Sequence, residues 1–324
     1  MKHAVTFIIL FQVLSFMSVK HIYASDINTI KTVDSFKANG HEEQNPEWYQ
    51  RFQPYEMNYA LWQSAQSDEN AIDVQYSFKY VLIDYTPVEN RHSVYLSYTG
   101  KFDFYMGTRS SSPVINRTSN PAIHYRYDLA ICGETYSWLD LSIEHRSDGQ
   151  VADAGAKDNN PNSSTFGQYL AEVEYRKGNH EYFDGISNGA NYFKVSPGWK
   201  FNEYGKADIS LKLYFSNDSN VTWGKYAGTG ARFSDFDLVR FTISDTKTFH
   251  TEHIKNMTYG LEYVIGSKGL ATDSIEVYLI VPWYSKTGLW KFPFIVKSHF
   301  GPMERLSDYT KSTSTVGIGL AFAY

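Results

Sequence analysis

Residues 93–106 alternate with a period of two. Val94, Leu96, Tyr98, Gly100, Phe102, Phe104 and Met106 fall on one face of an extended chain, and Ser93, Tyr95, Ser97, Thr99, Lys101, Asp103 and Tyr105 on the other. Side chains of a strand point alternately to its two sides, so this is a strand with one nearly all-apolar face and one mostly polar face. The pattern recurs at Ile72, Val74, Tyr76, Phe78, Tyr80 and Leu82, and at Ile123, Tyr125, Tyr127, Leu129 and Ile131. It returns at Ile209–Phe215, Met257–Ile265, Ile275–Trp283 and Val316–Tyr324. Strands of about ten residues with this alternation, separated by turns of Gly, Asn, Asp and Ser, are what a transmembrane β-barrel requires. A bilayer satisfies no open sheet edge, so the sheet must close. About thirteen stretches qualify, whereas single-chain bacterial barrels have even strand numbers. One stretch is therefore expected to be a loop. Pro197 and Gly198 point to Asn191–Phe201. The expected fold is all-β, a closed antiparallel barrel of 12 strands, against the competing soluble sandwich or lipocalin-like barrel.

Composition agrees. Aromatic residues reach 17%, with 26 Tyr, 21 Phe and 7 Trp, and strand ends at two membrane interfaces are where Tyr and Trp accumulate. A mean hydropathy of -0.41 excludes a bundle of membrane helices. The net charge of -5 gives no basis for nucleic-acid binding. A single cysteine, Cys132, excludes a disulfide framework or multi-cysteine metal cluster.

The one long apolar run, Ala4–Val19, follows Met1-Lys2-His3 and precedes a small residue, Ala24. It reads as a secretory signal over residues 1–24, with a signal anchor as the alternative. Residues 25–55, charged and aperiodic, read as a periplasmic tail or plug, and 56–324 as the barrel.

The strand Trp138–Ser147 carries the chemistry. Leu139, Leu141 and Ile143 share a face that His145 and Ser147 continue, while Asp140, Ser142, Glu144 and Arg146 occupy the other. His145 and Ser147 therefore project toward lipid near a strand end. A histidine base beside a serine nucleophile is the arrangement for acyl transfer, and the amide of Gly149 lies where it could help bind an oxyanion. The plain alternative is a pair of interfacial polar side chains. Inward residues such as Lys79, Lys101, Asp103, His124, Arg126, Asp128, Asp140, Glu144 and Arg146 mix both signs, which fits a salt-bridged lumen better than an open selective pore.

Glu144-His145-Arg146-Ser147-Asp148-Gly149 resembles the His-x-Ser-Asn-Gly motif of the outer-membrane phospholipase A family. Gln53-Pro54-Tyr55-Glu56-Met57-Asn58-Tyr59, Ser97-Tyr98-Thr99-Gly100-Lys101, Ser111-Ser112-Pro113 and Leu306-Ser307-Asp308-Tyr309 resemble further segments of that family in the same order. The resemblance implies a calcium-dependent, dimerisation-activated hydrolase of phospholipid and lysophospholipid acyl esters in a Gram-negative outer membrane. It implies His145 as general base and Ser147 as nucleophile. It also implies calcium held by Ser111 of a partner subunit, the carbonyl of Gln150, and Ser163 or Ser164, an all-oxygen set that suits this cation.

The sequence departs from the family at three points. Asp148 stands where the family has Asn, and Gly100 where a polar Gln is expected at the dimer interface. The third triad member, an Asn in the family, is not obvious. Gln168 could orient His145 through a register-shifting bulge, and Asn159, Asn160, Asn162, Asp153 and Asp158 are nearby alternatives. A missing third member would weaken the base, and the different-class alternative is a non-enzymatic barrel, a channel or a family member that has lost catalysis.

Overall fold

The computed structural model describes residues 51–64, 70–85, 91–105, 114–132, 135–148, 189–215, 232–287, 291–304 and 312–323. Twelve antiparallel strands close into a barrel, preceded by a three-residue strand. The short strand is β1 (Phe52–Pro54), and β2 (Asn58–Ser64), β3 (Asn70–Tyr85), β4 (Arg91–Tyr105), β5 (Val114–Cys132) and β6 (Thr135–Asp148) follow. The rest of the wall is β7 (Gly189–Lys200), β8 (Lys206–Tyr214), β9 (Val239–Thr248), β10 (Asn256–Ile265), β11 (Ser274–Tyr284), β12 (Lys291–Gly301) and β13 (Thr313–Ala323). From β2 onward each strand pairs with its sequence neighbours, and β13 pairs back onto β2 through Ile318↔Trp62 and Leu320↔Ala60, closing the sheet. β1 pairs with β3 at Phe52↔Tyr80.

The burial pattern is that of a barrel in lipid. Leu96, Phe104, Ile123, Leu211, Phe294 and Ile318 are exposed on the outer wall, while Asp73, Asp103, His124, Asp140 and Glu144 are buried inside. Polar groups buried in this way need partners, and the lumen supplies them as linked ion pairs. Lys297 lies 3.0 Å from Glu276, and Arg240 lies 2.9 Å from Glu262. Tyr59 donates to Asp73 at 3.2 Å, and Lys101 lies 3.4 Å from the same carboxylate. The salt-bridged lumen expected from the sequence is present.

The segment Asn191–Phe201, expected to be a loop, is instead β7, paired with β6 from Tyr136↔Lys200 to Ser147↔Gly189. Pro197 is accommodated because it faces outward and its missing N–H falls in a gap of the β7–β8 ladder, which passes from Val195↔Leu211 to Gly198↔Asp208 without losing register. Gly198 is covered by the ring of its opposed partner Trp138.

Connections at one end of the barrel are short, at 86–90, 133–134 and 201–205, whereas those at the other end include 149–188 and 215–238. Short turns face the periplasm and long loops the cell exterior in barrels of this kind. The end of β6 and the start of β7 lie at the long-loop end.

Candidate active site

Strand β6 holds two environments one residue apart. Its inward side chains Asp140, Ser142 and Glu144 are buried, while Ile143 is 54% exposed and His145 and Ser147 are partly exposed on the outer wall. The parity that assigned the histidine and serine to the outside is therefore the parity of the structure.

Directly opposite His145 on β7 stands Asn191. Its Oδ1 lies 2.7 Å from His145 Nδ1, so an Nδ1–H donating to this oxygen leaves Nε2 as the basic nitrogen. Such a bond fixes both the tautomer and the ring orientation. Sequence reasoning missed Asn191 because it sat inside the stretch expected to be a loop. The usable signal was its outward parity with Phe193, Val195 and Trp199 at the start of a strand.

On the other side of β6, Ser147 faces Ser119 of β5, and Ser119 Oγ donates to Tyr98 Oη at 3.0 Å. Tyr98 in turn stacks on Phe78 and Tyr76, with centroids 5.7 and 6.0 Å apart. His145 and Ser147 thus border an aromatic, outward-facing wall. Gly100 is part of it: the Tyr76 ring lies across this glycine from the directly opposed position on β3.

Inside the barrel is a serine–histidine relay that sequence reasoning also missed. Ser97 Oγ lies 2.9 Å from His124 Nε2, and His124 Nδ1 lies 2.8 Å from Asp140 Oδ1. The hydroxyl of Tyr95 donates to the same carboxylate. His124 is 1% exposed, with Tyr95 stacked on it at 4.4 Å and Tyr55 tilted against it at 5.3 Å. Those rings cover the imidazole, so the relay satisfies buried polar groups in a packed lumen. The inner imidazole is covered, whereas His145 and Ser147 are partly exposed on the outer wall.

Ser111, Gly149, Gln150, Ser163, Ser164 and Gln168, with Asp153, Asp158, Asn159, Asn160 and Asn162, lie outside the described residues. Among the described residues no cluster of three His, Cys, Asp or Glu side chains is arranged to hold a metal ion.

No protein-family model matches the sequence, and comparison with curated proteins finds no match. Solved structures do match. Outer membrane phospholipase A from Escherichia coli aligns with a TM-score of 0.53 at 11% identity, covering 83% of this chain and 93% of that one. The Salmonella typhi outer membrane phospholipase, a dimer with bound calcium, aligns at 0.55 and 12% identity over 88% and 94% of the two chains. An E. coli active-site mutant, in which an asparagine is replaced by alanine, aligns at 0.53 and 12% over 87% and 94%. The chain therefore has the fold of these outer-membrane β-barrels.

Proposed function

We propose that the protein is a calcium-dependent outer-membrane phospholipase that hydrolyses acyl ester bonds of phospholipids and lysophospholipids at the lipid-facing wall of the barrel. The observation that carries this reading is the 2.7 Å contact between His145 Nδ1 and Asn191 Oδ1, two residues from Ser147 on the same outward face. Polar side chains facing hydrocarbon are costly, and an oriented base beside a hydroxyl gives these three a common purpose. Asn191 takes the third place, in keeping with the active-site asparagine of the E. coli protein; Gln168 is not needed for it.

In this mechanism Ser147 Oγ attacks the ester carbonyl carbon as its proton passes to His145 Nε2. The tetrahedral intermediate collapses, the protonated imidazole gives that proton to the departing alkoxide, and an acyl-serine remains. Water then attacks the acyl carbon, giving a proton to His145, which returns it to Ser147 Oγ as the acyl–serine bond breaks and the fatty acid leaves. Asn191 holds the ring through both halves. The amide of Gly149 follows the nucleophile closely enough in sequence to serve the oxyanion. Ser111 of a partner subunit, the Gln150 carbonyl and Ser163 would hold the ion, their neutral oxygens being of the kind calcium takes. Bound there, the ion would supply positive charge beside the developing oxyanion. This reading makes the working form a homodimer, with substrate arriving by lateral diffusion.

Two features bear on the non-enzymatic alternative. The orienting residue whose absence favoured a catalytically lost barrel has a candidate in Asn191, and the lumen carries buried ion pairs where a channel needs water. The test is fatty-acid release from detergent-dispersed phospholipid by the refolded protein, with calcium and with EDTA. Calcium-dependent hydrolysis lost in Ser147→Ala supports the enzyme; no hydrolysis by folded protein in either condition sinks it.

A further inference from the structure

Both chain neighbours of His145 are tied into the lumen. Glu144, directly opposite Tyr192 on β7, accepts a hydrogen bond from the Tyr192 hydroxyl at 2.8 Å, and the two residues are 4% and 1% exposed. The same carboxylate pairs with Lys194 and accepts from Ser142 at 2.8 Å and Asn120 at 3.2 Å. On the other side, Arg146 lies 3.4 Å from Asp237 Oδ2, which also takes Lys212 at 2.6 Å and Arg240 at 3.1 Å. Lys212 closes the circuit, since its ammonium lies 5.0 Å from the centroid of the Tyr192 ring.

We infer that Tyr192 is a positioning residue for the site on the opposite side of the wall, acting through Glu144 to hold Asn191 against His145. The inner pair Glu144↔Tyr192 and the outer pair His145↔Asn191 are successive rungs of one ladder. Successive rungs share their peptide units, so fixing the inner rung by a side-chain bond restricts the tilt and slide of the outer one. A displacement of about 1 Å in a catalytic group can cost on the order of 10²-fold in rate. A single hydroxyl that limits such displacement therefore affects turnover without touching substrate.

This inference rests on the hydrolytic reading, and its test keeps the two apart. Tyr192→Phe removes only the hydroxyl, and Glu144→Gln retains an acceptor for it. In refolded barrels whose heat-modifiable mobility shows they are folded, Tyr192→Phe is expected to lower kcat by about tenfold. KM should stay unchanged and the acidic limb of the kcat/KM profile should move, with Glu144→Gln less affected. The second readout needs no activity: the ¹⁵N resonance of His145 Nδ1, assigned with His145→Gln, should shift in Tyr192→Phe as the bond to Asn191 loosens. A shifted resonance supports the inference even where the wild type hydrolyses nothing, a result that would fail the hydrolytic reading alone. An unchanged resonance in folded Tyr192→Phe overturns it, as do kcat and a pH profile equal to wild type in an active enzyme.

Discussion

The ring of Tyr76 lies flat enough across Gly100, its directly opposed partner on β4, that a Cβ at the glycine would overlap the ring. The pair faces lipid, and Tyr76 is 42% exposed. An aromatic side chain shielding a cross-strand glycine in this way protects the ladder beneath it. Two more such pairs occur, Trp138 over Gly198 and Tyr278 over Gly260.

Gly100→Ala should be tolerated, because the group in its way is the far end of an exposed side chain that can swing aside, at a cost of about 1 kcal/mol. Gly266→Ala should be far worse. Its Cβ would collide with the backbone carbonyl of Asp235, in the segment that receives the Ser267 amide on Ser234 O at 2.9 Å. A loss of about 3 kcal/mol or more is expected there. Urea unfolding of both variants in lipid vesicles gives the comparison, and similar midpoints would contradict it.

Asn191→Ala is expected to lower kcat on the order of 10²-fold while leaving a folded barrel. The loss should be smaller than the roughly 10⁴-fold effect of disabling the charged third member of a serine triad, since a neutral amide orients the ring but does not stabilise the imidazolium through charge. Gln168→Ala should match wild type. Steady-state hydrolysis of a short-chain phospholipid analogue decides it, and a larger defect in Gln168→Ala would return the third role to that residue.

A serine-directed acylating reagent should modify Ser147 and spare Ser97, although only Ser97 has a carboxylate-backed histidine. Ser97 is 6% exposed and its histidine is covered by Tyr55 and Tyr95. Peptide mapping by mass spectrometry reads the outcome directly. Label on Ser97 would mean that the lumen opens.

Asp235 sets an acid limit on the segment 232–238. Burial alone would raise its pKa, but Lys268 at 2.9 Å, the Arg232 amide at 2.9 Å and Ser267 at 2.9 Å outweigh that and hold it below the ordinary carboxylate value. A depressed carboxyl pKa contributes stability that is fully present above the unfolded value of about 3.9 and fades as pH falls through the folded value. Wild type should therefore exceed Asp235→Asn in thermal stability at neutral pH, with the gap closing below about pH 4. A gap independent of pH would show that the carboxylate's charge is not what holds the segment.

Much of this architecture was legible because lipid and lumen impose opposite demands on alternate residues. The alternation in 93–106 placed Leu96 and Phe104 outside and Tyr95, Ser97 and Asp103 inside, as observed. The same parity put His145 and Ser147 on the outer wall. The reading failed at 191–201 because proline and glycine ordinarily interrupt a central strand. Nothing local in the sequence reveals that Pro197 meets a gap in the ladder or that Trp138 covers Gly198, since both depend on neighbouring strands. Asn191 was lost with that strand, being sought nearer the motif, in the connection that precedes it. The roles expected for Ser111, Gly149, Gln150 and Ser163 belong to segments outside the described residues.

The interleaving of an outer His145–Ser147 set with a clamped inner set on β6 limits how this strand can change in length during evolution. Deleting one residue between Asp140 and His145 would exchange the faces of everything on one side of the deletion. If the C-terminal end of the strand moved, the imidazole of His145 and the hydroxyl of Ser147 would turn into the lumen, and Arg146 would turn toward the acyl chains. Length variation within this strand is tolerable only in steps of two, whereas the long connection from β6 to β7 is free of that parity constraint beyond the stretch proposed to serve the oxyanion and the ion. Lineages descended from such a barrel should therefore diverge in that connection while keeping the distance from Asp140 to Ser147 constant.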